Sequence, residues 1–379
     1  MSSTSTGHWA FDSWKMTQQV LDSYGFSHAL TGEEAVQRQM CETRAREQQK
    51  MWWEKERTLG PGWYEDELEA GQNGFAGGFS MAAVTAVANG SSLKKLIRKG
   101  IPAQSRAKVW WSCSGAGKKE REAGEGYYAN LLKLVEGKET VHTRQIDNDV
   151  HRTFPGHPWL DSEEGKTLLR RVLVAYSWRN PGVGYCQSMN YVTAFLLLVM
   201  RSEEHAFWML ATLLEDILYE DSYSGDLSGC HVETRVLGEL LEKKLPRLAV
   251  LLEKLGCELA LLCTEWFLCL FVKSLPPETT MRIWDVLFNE GAKVIFRVAL
   301  ALLKMNEANL LKTKSVGELI HLLQDATRHT YDRDELMKVA FEKLGSFPMK
   351  SILKQRRRQH PLVMAELQDR LRKHENKSS

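Results

Sequence analysis

Apolar residues recur at helical spacing along most of this chain, and that pattern constrains the fold more than any other feature of the sequence. From Leu93 almost to Leu353 they return at intervals of three and four residues, as in Leu169, Val172 and Tyr176. Residues at that spacing lie on one face of an α-helix. Sustained runs of alternating β-branched residues are absent from the sequence. Glycine and proline interrupt the pattern at short intervals, so we predict an all-α domain of about 250 residues with short loops.

The stretch before this region differs from it in composition. Residues 1–92 are predicted to form an N-terminal extension, in which residues 32–57 are rich in Glu, Gln, Arg and Ala. That composition is typical of a solvated polar helix, which residues 60–62 (Gly-Pro-Gly) are expected to end. The Gly- and Ala-rich residues 71–92 predict a flexible linker.

The helical domain itself is assigned to residues 93–345, and residues 346–379 are predicted to form a charged helical tail. The tail carries the basic run Arg356-Arg357-Arg358. A solvated helix terminus is the simpler interpretation of this run, and a basic docking patch is the alternative.

Composition excludes several classes of protein. The 50 basic and 48 acidic residues give a formal net charge of +2, which offers no argument for a nucleic-acid partner or a charged membrane surface. The seven cysteines form no CxxC pair, so we expect a reduced intracellular protein without a zinc site. The start of the chain lacks the basic and then apolar segments of a secretory signal. The most apolar stretches, 193–200 and 259–272, fall short of the about 20 residues that a membrane span needs. We therefore expect a cytoplasmic protein that reaches membranes only through a partner.

A first cluster of polar residues surrounds Asp149 and Arg152. These residues are three apart, so that on a helix they share a face, with Ile146 one turn earlier on the same side. Pro155 is expected to stop the helix and to leave Arg152 near its end, where its side chain projects outward. Two interpretations stay open here: an ordinary surface ion pair, or an arginine that a carboxylate holds ready for an anion.

A second cluster, residues 180–190, leads with turn-forming residues into an apolar run. Gln187 is therefore expected at or just before a helix N-terminus, where unpaired N–H groups and the helix dipole favour phosphate. The alternative is that Gln187 and Ser188 merely cap the helix while Tyr185 packs beneath. The glycine spacing does not match a phosphate-binding P-loop and no GK[ST] follows, so we expect no nucleotide site in the chain itself.

A third cluster contains Arg106 and Trp110, which are four residues apart and follow Pro102. On a helix that begins near Pro102, the guanidinium of Arg106 is expected to lie over the indole of Trp110 as a structural brace. Conventional catalytic motifs (GxSxG, HExxH and DxDxDG) are absent from the sequence, and its eleven histidines show no ligand spacing. We expect no metal and no cofactor of its own.

Taken together, the three clusters resemble the motifs of the TBC domain of Rab GTPase-activating proteins. The family motifs RxxxW, IxxDxxR and YxQ correspond, in order, to residues 106–110, 146–152 and 185–187. Further sequence similarity to the family follows at residues 274–276 and at residues 282–291, and the second of these segments includes Asp285. Any one motif is weak, and their common order carries the resemblance. The resemblance spans residues 93–344, and within the family the sequence is most similar to the growth-hormone-regulated TBC branch.

The resemblance implies an all-α fold of two helical subdomains and the acceleration of GTP hydrolysis on a Rab-family GTPase in its GTP state. It implies that Arg152 and Gln187 enter the GTPase as an arginine finger and a glutamine finger, that Asp149 holds Arg152, and that Tyr185 shapes the glutamine loop. GTP and Mg²⁺ would belong to the partner. The other motif residues are implied to support the fold nearby: Ile146, Arg106, Trp110 and Asp285.

Two other functions stay open: a TBC domain that binds a GTPase without catalysis, and a helical scaffold whose motifs only pack. The presence of both finger residues favours the activator, and the lack of a fixed repeat period disfavours a solenoid scaffold. Ser188 stands where many relatives carry glycine. Serine is small and caps helices well, so we expect a modest effect of this departure.

Overall fold

The computed structural model of the chain describes residues 18–65, residue 68 and residues 92–378, with the backbone alone for residue 18 and for 374–378. The predicted flexible linker over residues 71–92 therefore lies outside the described residues, apart from its last residue. The division of the chain at residues 92/93 and 345/346 stays a prediction.

A short β-hairpin opens the described part of the chain. Strands β1 (Gln18–Leu21) and β2 (Ser27–Leu30) pair antiparallel. The Asp22 carboxylate holds the turn, since it accepts hydrogen bonds from the backbone N–H groups of Tyr24 and Phe26, each at 2.9 Å. The periodicity of the sequence did not predict this hairpin, because strands of four residues are too short to display an alternating pattern.

Helix α1 (Gly32–Leu59) follows and confirms the predicted polar helix. It begins at a capping box in which Thr31 and Glu34 satisfy each other's backbone N–H groups, and it ends at Gly60. The expectation that it is solvated is wrong for one face. Gln48 and Trp52 are buried, and both donate side-chain hydrogen bonds to the carbonyl oxygen of Gly100, at 3.2 and 3.0 Å. Helix α1 is therefore docked on the rest of the protein.

Two groups of helices make up the main body. The first group comprises α2 (92–99), α3 (Ala103–Ser114), α4 (Ala116–Ala123), α5 (Tyr127–Val135), α6 (Val141–Val150), α7 (Glu163–Arg179), α8 (Met189–Met200) and α9 (Glu203–Thr212). The second group comprises α10 (Ser228–Lys244), α11 (Pro246–Leu255), α12 (Ala260–Leu268), α13 (Pro277–Glu290), α14 (Lys293–Leu310), α15 (Val316–Arg328), α16 (Arg333–Lys338) and α17 (Met349–Ser378). Single π-helical turns follow α9 at Leu213–Ile217 and α16 at Val339–Lys343.

Each group packs mainly within itself, and α3 of the first group crosses to α13 of the second. The predicted all-α fold of two helical subdomains is thus confirmed. Helix α8 is the most enclosed element of the first group, because all of its twelve residues except Tyr191 and Leu198 are buried. A helix that is apolar all round can be placed only in a core. The loop before α8 is therefore anchored on a rigid element.

The C-terminal helix α17 packs along α10. Arg356, which the sequence placed in a solvated basic run, is only 5% exposed, and its Nε and Nη2 atoms each donate to the Glu233 carboxylate at 2.7 Å. The solvated interpretation is therefore wrong for Arg356. It holds better for its neighbours, since Arg357 is exposed and Arg358 pairs with Glu239 at the surface.

Membrane-spanning helices were not expected. Throughout the described part of the chain, every helix is too short or too polar to cross a bilayer.

Candidate functional site

Arg152 lies just beyond the end of α6. That helix starts at a capping box formed by Thr140 and Thr143 and ends at Val150, so Arg152 is the second residue past it. The helix thus stops before Pro155 is reached, and the side chain of Arg152 is 58% exposed. Its guanidinium turns back to Asp149, to whose Oδ1 atom Nε donates at 2.8 Å and Nη2 at 2.6 Å. These hydrogen bonds raise the pKa of Arg152 further above its already high value, so the group is always cationic.

Asp149 is the buried centre of this cluster. Its side chain is 6% exposed, and its second oxygen accepts a hydrogen bond from the Tyr185 hydroxyl at 2.5 Å. Burial, followed by the contact with Asp149, raises the pKa of Tyr185, so the phenol stays protonated and donates. Ile146 is fully buried one turn earlier and fixes the position of the helix. Arg152 ends one motif and Tyr185 begins the next, 33 positions later in the sequence. The structure therefore brings these two motifs together at Asp149.

Gln187 lies in the loop that runs from Tyr185 into α8. It is exposed, and it precedes the first residue of that helix, Met189, by two positions, as the sequence predicted. Within the described residues its side-chain amide has no hydrogen-bond partner. The amide is consequently free to bind a group from outside the chain.

Asn190 joins the loops of Arg152 and Gln187, and sequence analysis did not single it out. Its side chain is 1% exposed, its Nδ2 atom donates to the Thr153 hydroxyl at 2.7 Å, and its Oδ1 atom accepts from the backbone N–H of Ser188 at 3.1 Å. Thr153 in turn donates to the backbone carbonyl of Asp149 at 2.7 Å. The one available signal in the sequence was a polar residue in the first turn of an otherwise apolar helix. Because a buried amide requires hydrogen-bond partners, such a residue indicates a contact with another segment.

The N-terminal hairpin packs against the loop that follows Arg152. Phe26 meets Phe154 edge to face, with ring centroids 5.1 Å apart, and also packs on His157. Phe154 has a positive φ of 50°, which a bulky residue adopts only when its surroundings hold it there. Residues that sequence analysis left in an undefined extension therefore help to set the backbone that presents Arg152.

Ser188 occupies the N-cap of α8 with a φ of 102°. The expectation that it caps the helix is wrong, because its side chain makes no capping hydrogen bond. The backbone lies in the left-handed region, which costs an L-residue about 1–2 kcal/mol and costs glycine nothing. Serine at this position therefore stores strain next to Gln187.

Ser188→Gly is expected to raise the free energy of unfolding by about 0.5–1 kcal/mol, because relief of the strain exceeds the extra freedom of glycine in the unfolded chain. Urea denaturation measures the change. Ser202→Gly is the matched control: Ser202 caps α9 from an extended backbone, with a φ of −143°, and accepts from the N–H of His205. That substitution is expected to lower stability by a few tenths of a kcal/mol. Equal destabilisation by both substitutions would contradict the strain at Ser188.

Arg106, Trp110 and Asp285 meet at the junction of α3 and α13. Arg106 does not lie over Trp110 as predicted. Instead both side chains converge on the Asp285 carboxylate: Arg106 donates through Nε at 2.9 Å and Nη2 at 3.2 Å, and the indole Nε1 of Trp110 donates at 2.9 Å. The backbone N–H of Ile101 adds a fourth hydrogen bond at 3.1 Å. The motif joins the two groups of helices, and the Arg106 guanidinium also donates to the hydroxyl of Tyr24 at 2.6 Å.

One set of side chains in the described part of the chain has the spacing of metal ligands: Cys41, Asp332 and Asp334. Both carboxylates already pair with Arg44, at 3.8 and 3.2 Å. This set involves none of the motif residues and carries no argument for a metal.

Comparisons with known proteins agree with this geometry. The sequence model of the Rab-GTPase-TBC domain family matches residues 103–311. The chain is 39% identical to human growth hormone-regulated TBC protein 1, over 70% of this chain and 79% of that protein. It is 38% identical to mouse TBC1 domain family member 2A, where the match covers 76% of this chain but only 31% of that longer protein.

A solved structure, the Chlamydomonas flagellar RabGAP TBC domain, superposes with a TM-score of 0.72 at 38% identity, covering 86% of this chain and 100% of that one. The Ypt/Rab-GAP domain of Gyp1p shares the fold, with a TM-score of 0.58 at 20% identity over 66% of this chain and 90% of that one. Sequence motifs, fold and relatives therefore agree: the chain belongs to the Rab-GTPase-TBC family of GTPase activators, whose partners are Rab GTPases.

Proposed function

We propose that the chain accelerates GTP hydrolysis on the GTP-bound state of a Rab GTPase by supplying Arg152 and Gln187 in trans. The observation that carries the proposal is the pairing of these two exposed side chains on loops that Asn190 and Asp149 tie together underneath. Two groups that must enter one active site together need a fixed separation, and the buried hydrogen bonds provide it.

Arg152 supplies charge. In phosphoryl transfer the negative charge spreads over the oxygens of the transferring group, and an arginine stabilises it with a planar fork that never loses its proton. Asp149 keeps the guanidinium cationic and orients it, and the Tyr185 hydroxyl holds the other carboxylate oxygen in place. An arginine finger in trans contributes about 10³–10⁵ in rate, or about 4–7 kcal/mol.

Gln187 supplies a neutral amide, whose oxygen can accept a hydrogen bond from water and whose NH₂ group can donate one to it. In this account it orients the attacking water in place of the glutamine of the GTPase. GTP and Mg²⁺ belong to the partner, since the chain has no GxxxxGK[ST] motif with which to cradle a nucleotide: five residues before Gly165-Lys166-Thr167 stands Leu160, not glycine. Action in the cytoplasm, with membrane contact only through the GTPase and without nucleic acid, fits the balanced charge of the sequence.

The experiment that tests the function is single-turnover GTP hydrolysis by a panel of purified Rab GTPases, each with and without the chain. Acceleration of at least one Rab by about 10³-fold or more is expected from an arginine finger. Binding to a GTP-loaded Rab without any acceleration would support the alternative, a TBC domain that acts as a binding module.

Asn190→Ala is expected to lower the accelerated rate by about 10²-fold, because loss of the link between the two loops lets one group shift by about 1 Å relative to the other. Asn306→Ala is a suitable control, since Asn306 makes one local hydrogen bond to Leu302 on α14. Circular dichroism checks that both variants are folded before their rates are compared. A rate for Asn190→Ala equal to that of the control would rule out the positioning role.

A further inference from the structure

The N-terminal part of helix α17, residues 349–365, is basic without any acidic residue. It contains five Lys and Arg side chains and neither Asp nor Glu. The sequence left two interpretations open for the basic run in this segment, a solvated helix terminus and a docking patch. The catalytic roles proposed for Arg152 and Gln187 do not use it, so the segment needs an explanation of its own.

Two of the five cations are neutralised by the protein itself. Arg356 pairs with Glu233 in the interior, and Arg358 pairs with Glu239 at the surface. The other three cations are exposed, and within the described part of the chain they have no acidic partner: Lys350, Lys354 and Arg357. An unpaired positive charge therefore remains on this segment.

The three unpaired cations lie on one side of the helix, because spacings of four and then three residues return to the same face. Leu353, which is 39% exposed, lies among them. We call these four residues the outer face of α17. The seven residues from Lys350 to Arg357 span about 10 Å of helix. That length is close to the Debye length of about 8 Å at physiological ionic strength, so the three charges attract a facing anionic surface together.

The opposite side of α17 holds the outer face in a fixed position. Ile352 and Val363 are buried, and the ion pair of Arg356 with Glu233 adds two hydrogen bonds of 2.7 Å. The cavity between α10 and α17 is lined by residues of the helix from Gln359 onward, so it does not include the outer face. Contacts made by a rigid element lose less conformational entropy on binding than contacts made by a flexible tail.

We propose that the outer face of α17 binds the anionic surface of a membrane, of the kind that phosphatidylserine provides. Each Lys or Arg side chain near such a surface strengthens the attraction. The aliphatic stems of Lys350 and Lys354 and the exposed side chain of Leu353 supply the apolar contact with the headgroup region that membrane-surface helices make.

Two features favour a membrane over another polyanion. Residues 349–365 contain no Phe, Tyr or Trp, whereas protein interfaces usually centre on such residues and single-stranded nucleic acids stack on them. A leucine placed among the cations gains nothing from a phosphodiester backbone, but it gains from entry into a lipid headgroup layer.

The net charge of +2 conceals this face, because acidic residues elsewhere in the chain balance its cations. The proposal therefore adds a direct membrane contact to the contact through the GTPase, which was the one that the balanced charge favoured. It is independent of the catalytic roles of Arg152 and Gln187.

Flotation of the full chain with phosphatidylcholine vesicles, prepared with and without phosphatidylserine, tests the proposal. The test variant is Lys350→Gln/Lys354→Gln/Arg357→Gln. The matched control removes two lysines and one arginine from exposed positions of α1 and α3: Lys50→Gln/Arg57→Gln/Lys108→Gln. Circular dichroism checks that both variants are folded.

The unaltered chain is expected to float with the phosphatidylserine vesicles and not with phosphatidylcholine alone, and added salt is expected to release it. The test variant is expected to bind about tenfold more weakly or less, and the control is expected to bind as the unaltered chain does. Failure of the unaltered chain to bind the phosphatidylserine vesicles overturns the proposal. So does a loss of the same size in the control, because the attraction would then follow from total charge. Binding to poly-glutamate but not to the vesicles would assign the face to an acidic protein instead and also overturns the proposal.

Discussion

Replacement of Arg152 by alanine is expected to lower the accelerated rate of GTP hydrolysis on a responsive Rab by about 10³-fold or more, which is at least about 4 kcal/mol. The guanidinium is the one group in the proposed site that carries a fixed positive charge to the transferring phosphoryl group. Neutral Gln187 cannot replace that charge. Arg152→Lys is expected to recover only part of the rate, because an ammonium group keeps the charge but loses the planar fork.

The loss is expected without unfolding. The side chain of Arg152 is 58% exposed, and pairs of that kind contribute about 0–1 kcal/mol to stability. Arg170→Ala provides the matched control, since Arg170 is a 45% exposed arginine that pairs with Asp147 of α6. Single-turnover hydrolysis measures the rates, and urea denaturation measures stability. An Arg152→Ala protein with the activity of the control would show that Arg152 is only a surface ion pair.

Asp285→Asn is expected to lower the free energy of unfolding by about 3–5 kcal/mol. Asp285 is 1% exposed and neutralises Arg106, which is 5% exposed. Removal of the carboxylate charge leaves the guanidinium buried with only the Tyr24 hydroxyl and the distant Glu278, 3.9 Å away. The hydrogen bonds from Trp110 and from the backbone of Ile101 also weaken, because an amide is a poorer acceptor than a carboxylate.

Asp147→Asn is the control for this prediction, since Asp147 is a 44% exposed aspartate in an ion pair with Arg170. Loss of this surface ion pair is expected to lower the free energy of unfolding by less than about 1 kcal/mol. The midpoint of urea denaturation, followed by circular dichroism, compares the two variants. If they are equally stable, Asp285 does not hold the two groups of helices together.

The sequence was sufficient to predict the helical fold because the relevant signal is local. Spacing of three and four residues, and turns at glycine and proline, depend on neighbours along the chain. The helix that ends before Arg152 and the helix that begins after Gln187 were predictable for the same reason. So was the contact of Asp149 with Arg152, because residues three apart on a helical turn meet without help from tertiary structure.

Contacts between distant residues were beyond that kind of analysis. Arg106 and Asp285 are 179 positions apart, and the predicted stacking of Arg106 on Trp110 was wrong because a buried carboxylate attracts a guanidinium more strongly than an indole face does. Three other features depend on contacts between distant residues in the same way: the docking of α1 through Trp52, the burial of Arg356 against Glu233 and the link through Asn190. For α1 and Arg356 a polar pattern suggested exposure, and in all three cases the partner that makes burial favourable lay far along the chain.

The most direct test of the central claim uses a responsive Rab whose own catalytic glutamine has been replaced. Single-turnover hydrolysis by this Rab is measured with the unaltered chain and with Gln187→Ala. If Arg152 and Gln187 both act in trans, the unaltered chain still accelerates hydrolysis and Gln187→Ala does not. Complete loss of acceleration with the unaltered chain, on a Rab that responds before the replacement, would contradict the account and leave Gln187 as a residue of the loop alone.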